Sequence, residues 1–234
     1  MRVLPNLLVF PWESMTENNC NTYVISGDKN ILIDPGHYHL LPQLEGKMRR
    51  DGLSFDDIDL VLATHPHPDH IEGAAAWNDK DCLIAAHLDA VEFMERYEKF
   101  WEDTTRRTLP VINFDFLLKE GKLKVGEHTL RVIGTPGHCP GSVCFFWEEG
   151  KVLFSGDVIF FQSFGRFDLP GGDPLELFQS IEKLVQIDAE VLAPGHGPAI
   201  QGRGSVKQNF YIVLELFQQM VAEEVKRNGG SVKL

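Results

Sequence analysis

The segment THPHPDH, residues 64–70, crowds His65, His67, Asp69 and His70 into six positions and places Pro66 and Pro68 between them. In an extended chain alternate side chains share a side, so His65, His67 and Asp69 can converge while the two prolines point elsewhere. Each proline fixes its own φ and biases the residue before it, here His65 and His67, toward extended geometry. Donors held in place before an ion arrives lose less entropy on binding it. Imidazole and carboxylate donors suit zinc, iron or manganese, and the absence of cysteine from the cluster argues against a closed structural zinc site. Four donors from one loop cannot all reach one ion comfortably. Two ions, or one ion with outer partners, would follow.

Further donors must come from elsewhere in the chain, and their surroundings say which elements carry them. Five short apolar runs end at a ligand-type residue: NILIDPG (30–36), DLVLATH (59–65), LRVIGTPGH (130–138), KVLFSGD (151–157) and AEVLAPGH (189–196). Their length and their Gly, Pro and Asp punctuation predict buried strands. They deliver His138, Asp157 and His196 to strand ends, each after a glycine whose missing Cβ lets backbone approach the site. Helical patterns fall on IEGAAAWN after the cluster, on 88–107, on 173–186 and on 205–227, and residues 119–133 read as a hairpin turning at Gly126. Strands and helices alternate in two halves, which predicts an α/β (α+β) fold with sheets inside and helices outside. Without a linker, low-complexity run or solenoid period, residues 1–234 are expected to form one domain.

Composition narrows the partners. The 34 acidic and 22 basic side chains among 234 residues leave a net charge of −12, a field that repels nucleic acid and anionic membrane surfaces. The first residues lack signal-peptide character, and no apolar run is long enough to cross a bilayer. Cys20, Cys82, Cys139 and Cys144 lack CxxC spacing, so neither a disulfide framework nor a cysteine zinc site is expected. A small-molecule substrate and a reducing, cytoplasmic compartment are the expectation.

Taken in order, HxHxDH (65–70), TPGH with His138, SGD with Asp157 and PGHGP with His196 resemble the metallo-β-lactamase superfamily over essentially the whole chain. That resemblance implies a four-layer αββα sandwich with its metals at one edge. It implies that His65, His67 and His138 hold a first ion, that Asp69, His70 and His196 hold a second, and that Asp157 bridges them. Asp34 of IDPG matches a position that supports the site without binding metal. GRFDLPGGDP (165–174), adjoining SGDVIFFQSF, resembles the short hydroxyacylglutathione hydrolases of the glyoxalase II type, and also the persulfide dioxygenases, rather than the antibiotic-degrading branch. Arg166 falls near where the thioester hydrolases hold a substrate carboxylate, a task that suits a planar guanidinium.

The chemistry expected is hydrolysis at two Zn2+ ions, which lower the pKa of a shared water to about 7 and polarise a carbonyl, with Asp69 orienting the attacking oxygen. A thiolate leaves without a strong general acid, and no motif supplies one, which favours thioesters or activated esters over amides. The alternatives are a mononuclear Fe2+ persulfide dioxygenase using His65, His138 and Asp157, a site loaded with mixed zinc, iron or manganese, a lactonase or phosphodiesterase with the same metals, and a non-catalytic metal-binding module. Arg166 and Asp168 could equally form a local ion pair. His37, His39, His87 and His128 are expected at the surface, and Cys139 as a small buried thiol. Phe93, Tyr97, Phe100 and Trp101 form a helical stripe expected to pack on the core. It could also roof the site or pair two subunits in a homodimer. Phe210, Val213, Leu214 and Phe217 are expected to serve packing alone.

Overall fold

The computed structural model describes residues 2–14 and 16–227, with side chains through residue 222. The first half builds a seven-stranded sheet from β1 (Arg2–Leu4), β2 (Leu7–Phe10), β3 (Thr22–Ile25), β4 (Ile31–Ile33), β5 (Leu60–Leu62), β6 (Leu83–His87) and β7 (Phe116–Leu118), in that spatial order. Pairing is antiparallel from β1 to β4 and parallel from β4 to β7. The second half supplies β8 (Gly121–Val125), β9 (His128–Gly134), β10 (Val143–Trp147), β11 (Val152–Gly156), the small hairpin β12 (Ile159–Phe160) and β13 (Ser163–Phe164), then β14 (Val191–Pro194) and β15 (Ile200–Gln201). Its six-stranded sheet runs β15-β14-β11-β10-β9-β8, with β11 and β14 parallel.

The five expected runs are β4, β5, β9, β11 and β14, and the hairpin turns at Gly126 as the sequence predicts. Their apolar continuity has a simple cause, since most of these strands are covered on both faces. Ile33, Leu62, Phe145, Phe154 and Val191 pack between the two sheets. Their neighbours Leu32 and Val61 face outward onto Leu44 and Met48 of α1 (Leu41–Arg50) and onto Trp77. Leu153 and Leu192 face the other way, onto Leu177 and Ile181 of α4 (Pro174–Val185) and Phe210 and Phe217 of α5 (Arg203–Arg227). The layers are therefore helix, sheet, sheet, helix, as expected.

Two helices differ from the expectation. The IEGAAAW segment is not one helix: α2 is only Pro68–Ile71, and Glu72–Trp77 continues as a 3-10 helix. The helix expected over 88–107 is α3 (Leu88–Thr105), closed by Arg106 in the left-handed region at φ 56°. Asp173 starts α4 by accepting from the Leu175 and Glu176 amides at 2.8 and 2.9 Å, with Pro174 at the first position.

Candidate metal centre

The centre lies at the carboxyl ends of the two parallel strand pairs, where β4 and β5 face β11 and β14. Strand ends at such a reversal leave an open crevice and deliver side chains to it. His65 and His67 follow β5, His138 follows β9, Asp157 follows β11 and His196 follows β14. The extended stretch ends at His67 (φ −68°, ψ 142°), which caps α2 with Pro68 at its first position. Asp69 therefore reaches the centre from a helical turn rather than by strand alternation, a correction to the extended reading of that residue. Pro66 and Pro68 point away, as expected, and line a separate apolar cavity of about 250 Å³ with Met94, Trp101 and Phe114.

All seven expected donors converge. Three groups have ligand atoms within 4.8 Å of one another: His65 with His67 and His138, Asp69 with His70 and His196, and His65 with His70 and Asp157. Asp157 sits between them, with carboxylate oxygens 3.3 Å from His70 Nε2, 3.4 Å from His196 Nε2 and 3.8 Å from His138 Nε2. His67 Nδ1 faces His138 Nε2 at 2.9 Å, and His70 Nε2 faces His196 Nε2 at 3.2 Å. His65 Nε2, His67 Nε2 and Asp157 Oδ1 are buried without a hydrogen-bond partner. Ring nitrogens and a carboxylate oxygen left without partners in a buried space call for a cation, and the donor set fits a divalent one.

Electrostatics divide the histidines. Burial, followed by the other imidazoles, drives His65 well below its ordinary pKa, and burial pulls His67 to about 3 and lowers His138. These rings are neutral, the state a metal ligand needs. Burial opposes charge on His70 and His196 too, but Asp157 and Asp34 hold His70 well above its usual value, and Asp157 and Asp69 lift His196 to about 9. Burial would raise Asp69 and Asp157, yet His196 and His70 keep both carboxyls below the ordinary range.

Outer partners fix the rings. His138 Nδ1 donates to the Arg166 carbonyl at 2.6 Å, which leaves Nε2 as the inward lone pair. His70 Nδ1 lies 2.9 Å from Asp34 Oδ2, and Asp34 also accepts from the Thr64 amide and hydroxyl at 2.7 Å each. Asp34 stands in the left-handed region at φ 56°, a conformation Asp tolerates better than most residues. At Gly195 a Cβ would meet Asp157 Oδ1 at 2.3 Å and His70 Cε1 at 2.6 Å, so the glycine before His196 is a steric requirement. Asp34→Ala removes a buried carboxylate that faces three donors, and is expected to cost about 3 kcal/mol in denaturant unfolding of the metal-free protein.

Other expectations meet mixed outcomes. Arg166 borders the centre's cavity, while its guanidinium forms a two-pronged pair with Asp168 at 2.7 and 2.8 Å. Cys139 is buried beside Ser142, and all four cysteines are free and buried. His39 is exposed, but His37 and His128 are buried, against expectation. His37 is held by Glu72 at 2.6 Å, and Arg107 reaches both His37 and His39. His128 falls on the inward side of β9, edge-on to Trp147. His87 is half-buried and caps α3 by accepting from the Asp89 amide. In the α3 stripe Phe93 and Trp101 are buried and Phe100 is exposed, and Trp101 also stands edge-on to His67 at 4.8 Å. Sequence reasoning overlooked Asn18, whose Nδ2 donates to Asp69 Oδ2 at 2.6 Å, and Thr64. The only signal was a hydroxyl ahead of the first histidine and an asparagine-rich NNCN stretch.

The metallo-beta-lactamase superfamily profile matches residues 15–196, which span every one of these donors. The chain belongs to this superfamily. Among its relatives, a probable metallo-hydrolase of Methanocaldococcus jannaschii is 34% identical over 190 residues, covering 76% of this chain and 87% of that protein. A hydroxyacylglutathione hydrolase, GloC, of Haemophilus influenzae is 31% identical over 200 residues, covering 77% of this chain and 86% of that protein. A solved structure described as a di-iron-bound form, TTHA1623, is 30% identical with a TM-score of 0.70, covering 86% of this chain and 98% of that one. Superfamily membership and the histidine-rich groups together imply a divalent metal ion and place the chain among the metallo-hydrolases, on their glyoxalase II-like side. Among the described residues, no helix is long and apolar enough to cross a membrane.

Proposed function

We propose that this protein is a binuclear metal-dependent hydrolase of thioesters. In this reading His65, His67 and His138 would hold one zinc ion and Asp69, His70 and His196 the other, with Asp157 shared between the two groups, within one domain of residues 1–234. The observation that carries it is the inward-facing set of imidazoles and carboxylates, of which His65 Nε2, His67 Nε2 and Asp157 Oδ1 are buried without a hydrogen-bond partner. When bound, the ions supply Lewis acidity and a water acidified to about pKa 7. The chain's own residues do the rest. Asp69, anchored by Asn18, orients the attacking oxygen and takes up its proton at a carboxylate oxygen. The Arg166 carbonyl and Asp34 hold the His138 and His70 rings so that their Nε2 atoms face inward. The leaving thiolate needs no proton donor, because its parent thiol has a pKa of about 8.5.

The similarity to a hydroxyacylglutathione hydrolase supports the thioester class. The di-iron-bound neighbour supports iron as an alternative occupant of the same residues. The free, buried thiols fit a reducing, cytoplasmic setting. The test is elemental analysis of protein purified without added metal, followed by assay on S-lactoyl and other acyl thioesters. Two ions per chain and thioester hydrolysis are expected. One iron per chain with oxygen uptake on a persulfide would overturn the reading in favour of a dioxygenase.

A further inference from the structure

The cavity above the centre measures about 560 Å³, enough for a small acyl compound. Beyond the donors its walls combine four apolar side chains with Asn18, Thr104 and Arg166. Trp101 comes from α3, Phe160 and Phe164 from the β12–β13 hairpin, and Leu169 from the loop before α4. Trp101 flanks His67, and Phe160 stands edge-on to His196 at 5.9 Å, so an aromatic ring borders each end of the centre. Among the described lining residues Arg166 is the single permanent cation, and Asp168 already neutralises it. That pair is exposed and cheap to open.

We propose that the substrate is a thioester joining an apolar acyl group to a thiol without free carboxylates, the acyl group packing between Trp101 and the Phe160, Phe164 and Leu169 wall. The inference rests on the thioester reading above. An acylglutathione brings two carboxylates and one ammonium, a net negative charge that would meet one guanidinium already paired, in a chain of net charge −12. A neutral thiol carries no such cost. In the reaction the water oxygen bonds to the acyl carbon and the carbon–sulfur bond breaks with its electron pair to sulfur. One thioester and one water give one carboxylate, one thiol and one proton.

The experiment uses acetyl, butyryl and hexanoyl thioesters of N-acetylcysteamine and of glutathione with the metal-loaded protein. In parallel, binding of S-hexyl-N-acetylcysteamine and S-hexylglutathione is followed by calorimetry on loaded and metal-free protein. A buried methylene favours binding by about threefold to fourfold. The expected result is a rise in kcat/KM of about tenfold or more from acetyl to hexanoyl on the neutral thiol, with each glutathione ester at least about tenfold slower. The neutral thioether should bind more tightly than its glutathione counterpart by a similar factor. Phe160→Ala and, separately, Trp101→Ala should flatten the chain-length slope through KM, the half-buried Phe160 serving should the Trp101 variant fail to fold. Hydrolysis with no chain-length slope, or with glutathione preferred, overturns this inference and leaves the thioester reading standing. Absence of all thioester hydrolysis overturns that reading instead. The thioether pair then decides the pocket's chemistry alone: tighter binding of the neutral compound supports it, and equal or weaker binding overturns it.

Discussion

Asp157→Ala is expected to leave the protein folded but unable to retain its ions, and to lower thioester hydrolysis by about a thousandfold or more. Its carboxylate lies within 3.8 Å of His70, His138 and His196 at once, so it meets donors of both proposed groups. Without it the inward face holds five imidazoles that repel one another when protonated, with Asp69 alone supplying the negative charge that makes a doubly charged ion welcome. Bound ions contribute several kcal/mol to stabilising the charge that develops on a carbonyl oxygen, which corresponds to about three powers of ten in rate. Asp157→Asn keeps the shape and loses the charge, so it should fail nearly as badly. The fold should survive because Asp157 lies past the end of β11 and outside the apolar clusters. Elemental analysis, circular dichroism and a rate assay on one preparation separate these outcomes.

Gly137→Ala should act through stability, at a cost of about 3–5 kcal/mol. Its φ is +113°, and a Cβ there would stand 2.0 Å from the Leu177 amide nitrogen and 2.4 Å from the Leu177 Cα. Backbone strain of about 1–3 kcal/mol and overpacking of about 1–3 kcal/mol act together. The contact is with the first turn of α4, whose Asp173 amide donates to the Gly137 carbonyl at 2.9 Å, so the helix must shift and carry the neighbouring His138 with it. Loss of bound metal should accompany the lowered denaturation midpoint. Gly46→Ala is the control: it lies inside α1 with open space around it, and should stabilise by about 0.5–1 kcal/mol.

How much of this was legible in the sequence follows from the range over which each feature is decided. The strands were legible because covering both faces of a sheet leaves runs such as ILI (31–33) and VLF (152–154) uniformly apolar, and the donors because each follows such a run. Local proline chemistry correctly made His67 extended, but the helical start at Pro68 changed the route by which Asp69 arrives. The buried state of His37 was not legible: it depends on Glu72 and on Arg107, which lies 70 residues away. Asn18 reaches Asp69 across 51 positions, and Trp101 reaches His67 only once α3 lies over the rim. A stripe of aromatic residues at helical spacing looks the same whether it meets the core or a reactive pocket. Here Phe93 and Trp101 are both buried, and only Trp101 also stands against a donor.

The break between the two sheets falls between Leu118 and Gly121, and it also divides the donors. His65, His67, Asp69 and His70 belong to the first sheet's half, His138, Asp157 and His196 to the second, so neither proposed triad is complete on one side. Ions seated there would act as a clasp between two lobes. Tightness of closure and strength of ion retention would then be one thermodynamic quantity seen from two directions, so that loosening either lobe releases the ions and withdrawing the ions loosens the lobes.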